Sequence, residues 1–262
     1  AETLRTSVDH IIVLSSDTDR TPFDVGAYAS STTYMSGNAV RKCAEEILGQ
    51  IRAVAARMLE TDESALLHDG TEFRRAGAAG RVTYEDVGYH SLYAENQAQI
   101  QAGASHVADL SPPPFLAQFA EVEVDRDTGE VTVIEFVSAV DCGVALHPAL
   151  AEGQIEGAAL NGISFALTES YRFSRAGRMV NATFGTYGMW NTVDQPPMKT
   201  ILVKTHEPSG PFGAKSVGEI GINGPAPAIA NAIYDAIGVR LYDLPMTSER
   251  VWRALRTETE ER

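Results

Sequence analysis

The sequence predicts an α+β protein of two packed subdomains, with mixed sheets and long helices, and three observations carry that reading. Val40, Cys43, Ile47, Ile51, Val54 and Met58 recur at three- and four-residue spacing, the apolar stripe of one long helix facing a core. Much later, residues 118–125 alternate apolar and acidic side chains, Asp127-Thr128-Gly129 turns, and residues 131–140 return as the second strand of a hairpin. Between them, Ser111-Pro112-Pro113-Pro114 is a rigid extended break. It sets the expected boundary, with residues 1–110 as the first subdomain and 111–262 as the second.

The elements follow in order. Residues 10–14 (His-Ile-Ile-Val-Leu) read as a short buried strand, and residues 15–22 as a polar loop of turn formers. A Ser/Thr-rich stretch then leads into the long helix, entered at Gly37-Asn38. Residues 62–80, charged and glycine-bearing, suit a hairpin or loop. Residues 83–100 hold a helix with Val87, Leu92 and Tyr93 apolar. Beyond the hairpin, residues 153–169 form a second long helix whose Gly157, Ala158, Ala159 and Gly162 demand close packing. Strands are expected over 179–184 and 199–205. A helix over about 225–238 opens with Pro225, where a missing N–H is harmless, and closes at Gly238. A short helix over 247–256 and a charged tail over 258–262 complete the chain.

Composition narrows the function. The chain has 262 residues, 44% hydrophobic, enough for a substantial core. Its 35 acidic against 21 basic residues give a net charge of −14, which disfavours nucleic acid and anionic membranes as partners. Cys43 and Cys142 are too few for a disulfide framework and read as small hydrophobes in a reducing compartment. No apolar run of membrane-spanning length and no secretory leader pattern appear, so a cytoplasmic location is expected. The first residues, Ala1-Glu2-Thr3-Leu4, lack methionine, which reads as a trimmed start or the later piece of a longer polypeptide. Asp141 and His147 lack a third ligand at metal-binding spacing, so no residue is assigned to a metal.

The most informative stretch is Gly210-Pro211-Phe212-Gly213-Ala214-Lys215-Ser216-Val217-Gly218-Glu219. Its glycines allow unusual backbone angles and close approach to a ligand, with one carboxylate held just ahead of a helix. Spacing alone favours an ordinary turn with a solvated acid.

Three motifs in order change that balance. Asp17-Thr18-Asp19-x-Thr21-Pro22-x-Asp24-x-Gly26-x-Tyr28-Ala29-Ser30 with Gly37-Asn38-Ala39 is the first. The second is Val140-Asp141-Cys142-Gly143-x-x-x-His147-Pro148 with Gly153-Gln154-Ile155-Glu156-Gly157, and the glycine loop is the third. Together, over about residues 4–253, they resemble the C-terminal half of the molybdenum-binding subunit of the xanthine dehydrogenase/aldehyde oxidase family of molybdenum hydroxylases. That family includes nicotinate dehydrogenase and 4-hydroxybenzoyl-CoA reductase. The organisation is most similar to the medium molybdopterin subunit of nicotinate dehydrogenase.

The resemblance implies a second molybdenum-cofactor-binding module and a molybdenum-pterin group of the molybdopterin cytosine dinucleotide form. Glu219 would be the base for water-derived hydroxylation of a small electron-poor substrate, an N-heteroaromatic such as a purine or nicotinate, or an aldehyde. Ser30, Ser31, Thr32, Thr33, Ser36, Gly37 and Asn38 match the family loop along the pterin and diphosphate. Lys215, Ser216, Val217 and Gly218 match the cofactor-facing loop. Relatives carry arginine near the position of Ser31. Asp141-x-Gly143 matches a structural turn, and Tyr187 and Trp190 suit a substrate funnel or aromatic packing. The resemblance also implies a molybdenum subunit roughly twice this long. The other half would lie on another chain, and FAD and 2Fe-2S clusters on further partner chains. The alternative is a non-catalytic structural or pterin-cofactor-binding subunit of the same fold.

Overall fold

The computed structural model describes residues 1–94 and 98–261, with side chains described through residue 257. Two units, Ala1–Asp109 and Leu110–Arg262, divide the chain. Each has its own sheet and its own core, giving the α+β class with mixed sheets and long helices.

In the first unit, helix α1 (Thr32–Met58) packs with a three-stranded antiparallel sheet and helix α2 (Tyr84–Tyr93). The strands are β1 (Leu66–Asp69), β2 (Glu72–Arg75) and β3 (Arg81–Thr83), in the order β1-β2-β3. Ile51, Val54 and Ala55 of α1 meet Leu66, Phe73, Val82 and Val87 in the core. The apolar stripe of α1 is therefore buried in its second half, while Val40 near its start faces solvent. The helix begins at Thr32, five residues ahead of the expected Gly37, because the Ser/Thr-rich stretch forms its first turns.

A capping box starts α2: the Thr83 side chain accepts from the Asp86 amide, and the Asp86 carboxylate accepts from the Thr83 amide at 2.9 Å. Thr83→Ala is expected to cost about 1 kcal/mol of stability, read as a lower urea midpoint. The helix expected over 83–100 closes at Tyr93, and residues 95–97 lie outside the described residues. Residues 10–14 depart from expectation. A 3-10 turn (Val8–His10) precedes them, no strand forms, and Ile12, Val13 and Leu14 are exposed. They are not among the three strands of the first unit's sheet.

In the second unit, β4 (Phe115–Val124) and β5 (Val131–Asp141) form the expected hairpin, antiparallel, with a bulge between Glu121 and Val122. Strand β6 (Met198–Leu202) adds in parallel to β5, from Phe136 opposite Met198 to Val140 opposite Leu202, which makes this sheet mixed. Helix α3 (Pro148–Leu167) starts earlier than expected, with Pro148 in its first turn and His147 accepting from the Leu150 amide through Nδ1. The segment 179–184 is not a strand. It closes on Phe173 by an isolated bridge at Met179 and runs into the one-turn helix α4 (Phe184–Tyr187). Helix α5 (Pro225–Ile237) ends at Gly238, φ +79°, as the sequence predicts.

Helix α6 (Ser248–Glu261) is longer than the expected 247–256, so most of the charged tail has helical backbone; Arg262 lies outside the described residues. Phe136, Ile163, Ala166, Ile229, Ile233, Met246 and Val251 make the main core between sheet and helices. Of the small residues in α3, Gly162 meets the Pro225 ring at the head of α5, while Gly157 is exposed. Among the described residues, no helix is long and apolar enough to cross a membrane.

Candidate functional site

A smaller cluster of Val140, Cys142 and Ile155, with Val217 and Ile220 against it, lies under the glycine loop. Three main-chain bonds stitch the loop to the end of β5 and to its own approach. The Lys215 amide donates to the Cys142 carbonyl at 2.7 Å, and the Gly213 carbonyl accepts from Val144 at 2.8 Å and from Glu207 at 3.0 Å. This stitching explains two glycines. Gly143 (φ +72°) and Gly213 (φ +87°) both need the left-handed region, and a Cβ on Gly143 would run into the Gly213 carbonyl oxygen. A Cβ on Gly213 would meet the His206 ring, so this glycine serves packing inside the protein, where the sequence suggested approach to a ligand. Gly143→Ala is expected to lower the stability of the second unit by about 2–4 kcal/mol, measured by thermal unfolding.

Side chains tighten the same junction. The Lys215 ammonium is 7% exposed and donates to Asp141 Oδ2 at 2.8 Å, Asp141 being 15% exposed. It also donates to the Pro113 carbonyl at 3.1 Å and lies 5.1 Å from the centre of the Phe115 ring. Asp141 accepts further from the Gly143 amide at 2.9 Å and from the Thr205 hydroxyl. Burial alone would push the Asp141 carboxyl upward. The bonds from Lys215, Thr205 and the Gly143 amide outweigh it and hold the group below its ordinary value. Asp141-x-Gly143 is thus a turn, as read from the sequence, and also the anchor of the loop that ends in Glu219.

Glu219 itself is exposed. It stands at the head of a 3-10 turn (Ile220–Ile222), and its carbonyl accepts from the Ile222 amide at 3.2 Å. The far side of that turn is tied to the sheet, since Gln118 Nε2 donates to the Gly221 carbonyl at 3.0 Å. Ser216, Val217 and Gly218 are half-buried between the anchored Lys215 and the exposed Glu219. The exposed Glu219 thus lies between two tied points, the buried Lys215 on one side and the Gly221 carbonyl on the other.

The remaining candidates lie on the first unit. Ala29 and Ser30 have φ of +51° and +54°, a double left-handed step into α1. Ser31 donates from its hydroxyl to the Tyr28 carbonyl at 2.8 Å, while Thr32 and Thr33 are exposed in the first turn. The Thr32 and Thr33 amides have no acceptor among the described residues, as in the first turn of any helix. Ser36 and Gly37 are half-buried. The Ser36 hydroxyl donates to Asp24 Oδ2 at 2.7 Å, a contact that lowers the Asp24 carboxyl and fixes the loop 24–36. Asn38 is buried, donating to the Tyr34 carbonyl at 3.0 Å.

Other sequence candidates have structural surroundings. Trp190 packs against the main core. Tyr187 lines a cavity of about 400 Å³ with Tyr171, Met179 and Phe184. Its phenol is pushed up to about 12, by lost hydration first and by its bond with Glu169 next. The buried Cys142 thiol is also pushed up by burial, as befits an inert side chain. Among the described residues, no group of His, Cys, Asp and Glu could hold a metal ion directly. Thr205, the Pro113 carbonyl and Gln118 were not legible as parts of the site, since no local motif marks them.

Fold and loop define a mixed-sheet α+β module that presents one carboxylate from an anchored glycine loop. The family description "Molybdopterin cofactor-binding domain" matches residues 1–196. The chain belongs to the xanthine oxidase/aldehyde oxidoreductase superfamily of molybdenum hydroxylases. It is 37% identical over 256 residues to "Probable hypoxanthine oxidase XdhD" of Escherichia coli K12, covering 97% of this chain and 27% of that protein. It is 32% identical to the carbon monoxide dehydrogenase large chain of Hydrogenophaga pseudoflava, covering 94% of this chain and 32% of that one. The solved CO dehydrogenase from Oligotropha carboxidovorans superposes with a TM-score of 0.80 at 28% identity, over 94% of this chain and 31% of the other. The chain therefore spans about a third of such relatives, where the resemblance implied about half.

Proposed function

We propose that this chain is the second cofactor-binding module of a molybdenum hydroxylase and supplies its catalytic base, Glu219. The observation that carries the reading is the exposed Glu219 carboxylate on a loop whose anchor, Lys215, is buried. The donors present fit the group: exposed Thr32 and Thr33 at the head of a long helix suit the diphosphate of a molybdopterin cytosine dinucleotide. Ser30, Ser31 and Ser36 belong to the same segment at the helix head. When bound, the molybdenum-pterin group activates water as the oxygen source and takes up two electrons. Glu219 accepts the proton that the attacking oxygen loses, which requires the carboxylate within about 3 Å of that proton.

The substrate is a small electron-poor molecule, and an N-heteroaromatic is favoured over an aldehyde. Support comes from relatives named for hypoxanthine, xanthine and nicotine. The rest of the molybdenum subunit, an iron–sulfur subunit with 2Fe-2S clusters and an FAD subunit complete the enzyme in the cytoplasm. The organisation is that of the medium molybdopterin subunit of nicotinate dehydrogenase. The test is purification from the native cell with all natural partners, followed by molybdenum assay by mass spectrometry and identification of the accompanying chains. Stoichiometric molybdenum with flavin and iron–sulfur chains is expected. A chain free of molybdenum overturns the proposal.

A further inference from the structure

Ile11, Ile12, Val13 and Leu14 are four consecutive apolar residues, three of them β-branched. In an extended segment Ile11 and Val13 point to one side and Ile12 and Leu14 to the other. A strand apolar on both sides belongs inside a sheet covered on both faces. Here it has neither cover. Ile12, Val13 and Leu14 are 89%, 76% and 66% exposed. The backbone of residues 12–15 makes no hydrogen bond to any described residue. Phe23, Val25 and Tyr28, farther along the chain, are exposed as well. Only Ile11 is held, half-buried beside Thr83 and Tyr84 in a cavity of about 540 Å³.

We propose that residues 11–14 are an inner strand of a sheet belonging to the polypeptide that carries the rest of the molybdenum-binding subunit. The identity of that partner rests on the function proposed above. Three arguments select it. An inner strand needs a neighbour on each edge, and this chain's own sheets of three strands do not include it. A second copy of the chain would offer one more unpaired strand, leaving the outer edges and both faces uncovered. Relatives such as XdhD, aligned with 97% of this chain, hold about three-quarters of their own length outside it, enough to supply both neighbours and the covering layers.

Hydrogen–deuterium exchange on the complex as purified tests this without altering the chain. The amides of residues 12–14 are expected to exchange at least about 100-fold more slowly than unprotected amides. Ile12→Asp is expected to release that protection, together with protection of one or two strands in the rest of the molybdenum subunit. Should the variant fail to assemble, protection in the native complex carries the test. Free exchange of residues 12–14 in a molybdenum-loaded complex overturns the strand pairing and leaves the functional reading standing. So does release by Ile12→Asp confined to an iron–sulfur chain, a flavin chain or a second copy. Protection in a preparation lacking molybdenum supports the pairing and overturns the functional reading instead.

Discussion

Glu219→Gln is expected to leave molybdenum content unchanged and to lower turnover of a heteroaromatic substrate by about 100- to 10,000-fold, the range that a positioned base contributes. Glutamine keeps the size and shape of the side chain and removes its ability to take up a proton. The position is exposed, so the fold should feel little. A surface change of this kind shifts stability by about 0.5 kcal/mol or less. Metal content by mass spectrometry, thermal midpoint and kcat together separate chemistry from folding. Native turnover in the variant would remove Glu219 as the base and favour a subunit that only holds the pterin group.

Lys215→Met is expected to destabilise the second unit by about 3–5 kcal/mol, the cost of stranding one member of a buried ion pair. Methionine retains the aliphatic length but leaves Asp141 with only Thr205 and the Gly143 amide as donors. Arginine should not rescue the variant fully, because its planar fork is a poor match for a site shaped around one ammonium. The double variant Lys215→Met/Asp141→Asn should recover part of the loss, which a double-mutant cycle in urea would measure.

The pair also sets an acid limit. Asp141 has its folded pKa below the unfolded value of about 3.9, so its contribution is present above that pH and is lost as pH falls through the folded value. The urea midpoint of the native chain should therefore drop on acidification below about pH 4. Asp141→Asn should lack that part of the drop.

Periodicity in the sequence was enough to place α1 and the β4–β5 hairpin, because their patterns repeat every 3.6 or 2 residues along a continuous segment, and Pro225 and Gly238 marked the ends of α5. Boundaries slipped where capping and packing decided them. Serines and threonines, weak in helix interiors, make the first turns of α1, and His147-Pro148 starts α3 ahead of its glycines. The segment 179–184 has the residues of a strand and lacks a neighbour to pair with beyond Met179.

The candidate site divides along the same line. Its glycine loop and Glu219 could be found by eye, since they lie in one short segment. The fate of Lys215 could not, because its partners Asp141 and Pro113 stand 74 and 102 residues away. By itself the sequence determined the class of fold, the long helices and the loop that carries the carboxylate, all properties of contiguous segments. Tertiary structure alone decided that Gly213 serves packing inside the protein, that the loop's lysine points inward as an anchor, and that residues 12–14 find no cover among the described residues. Burial and pairing depend on what distant segments bring to a side chain, and no local pattern records that.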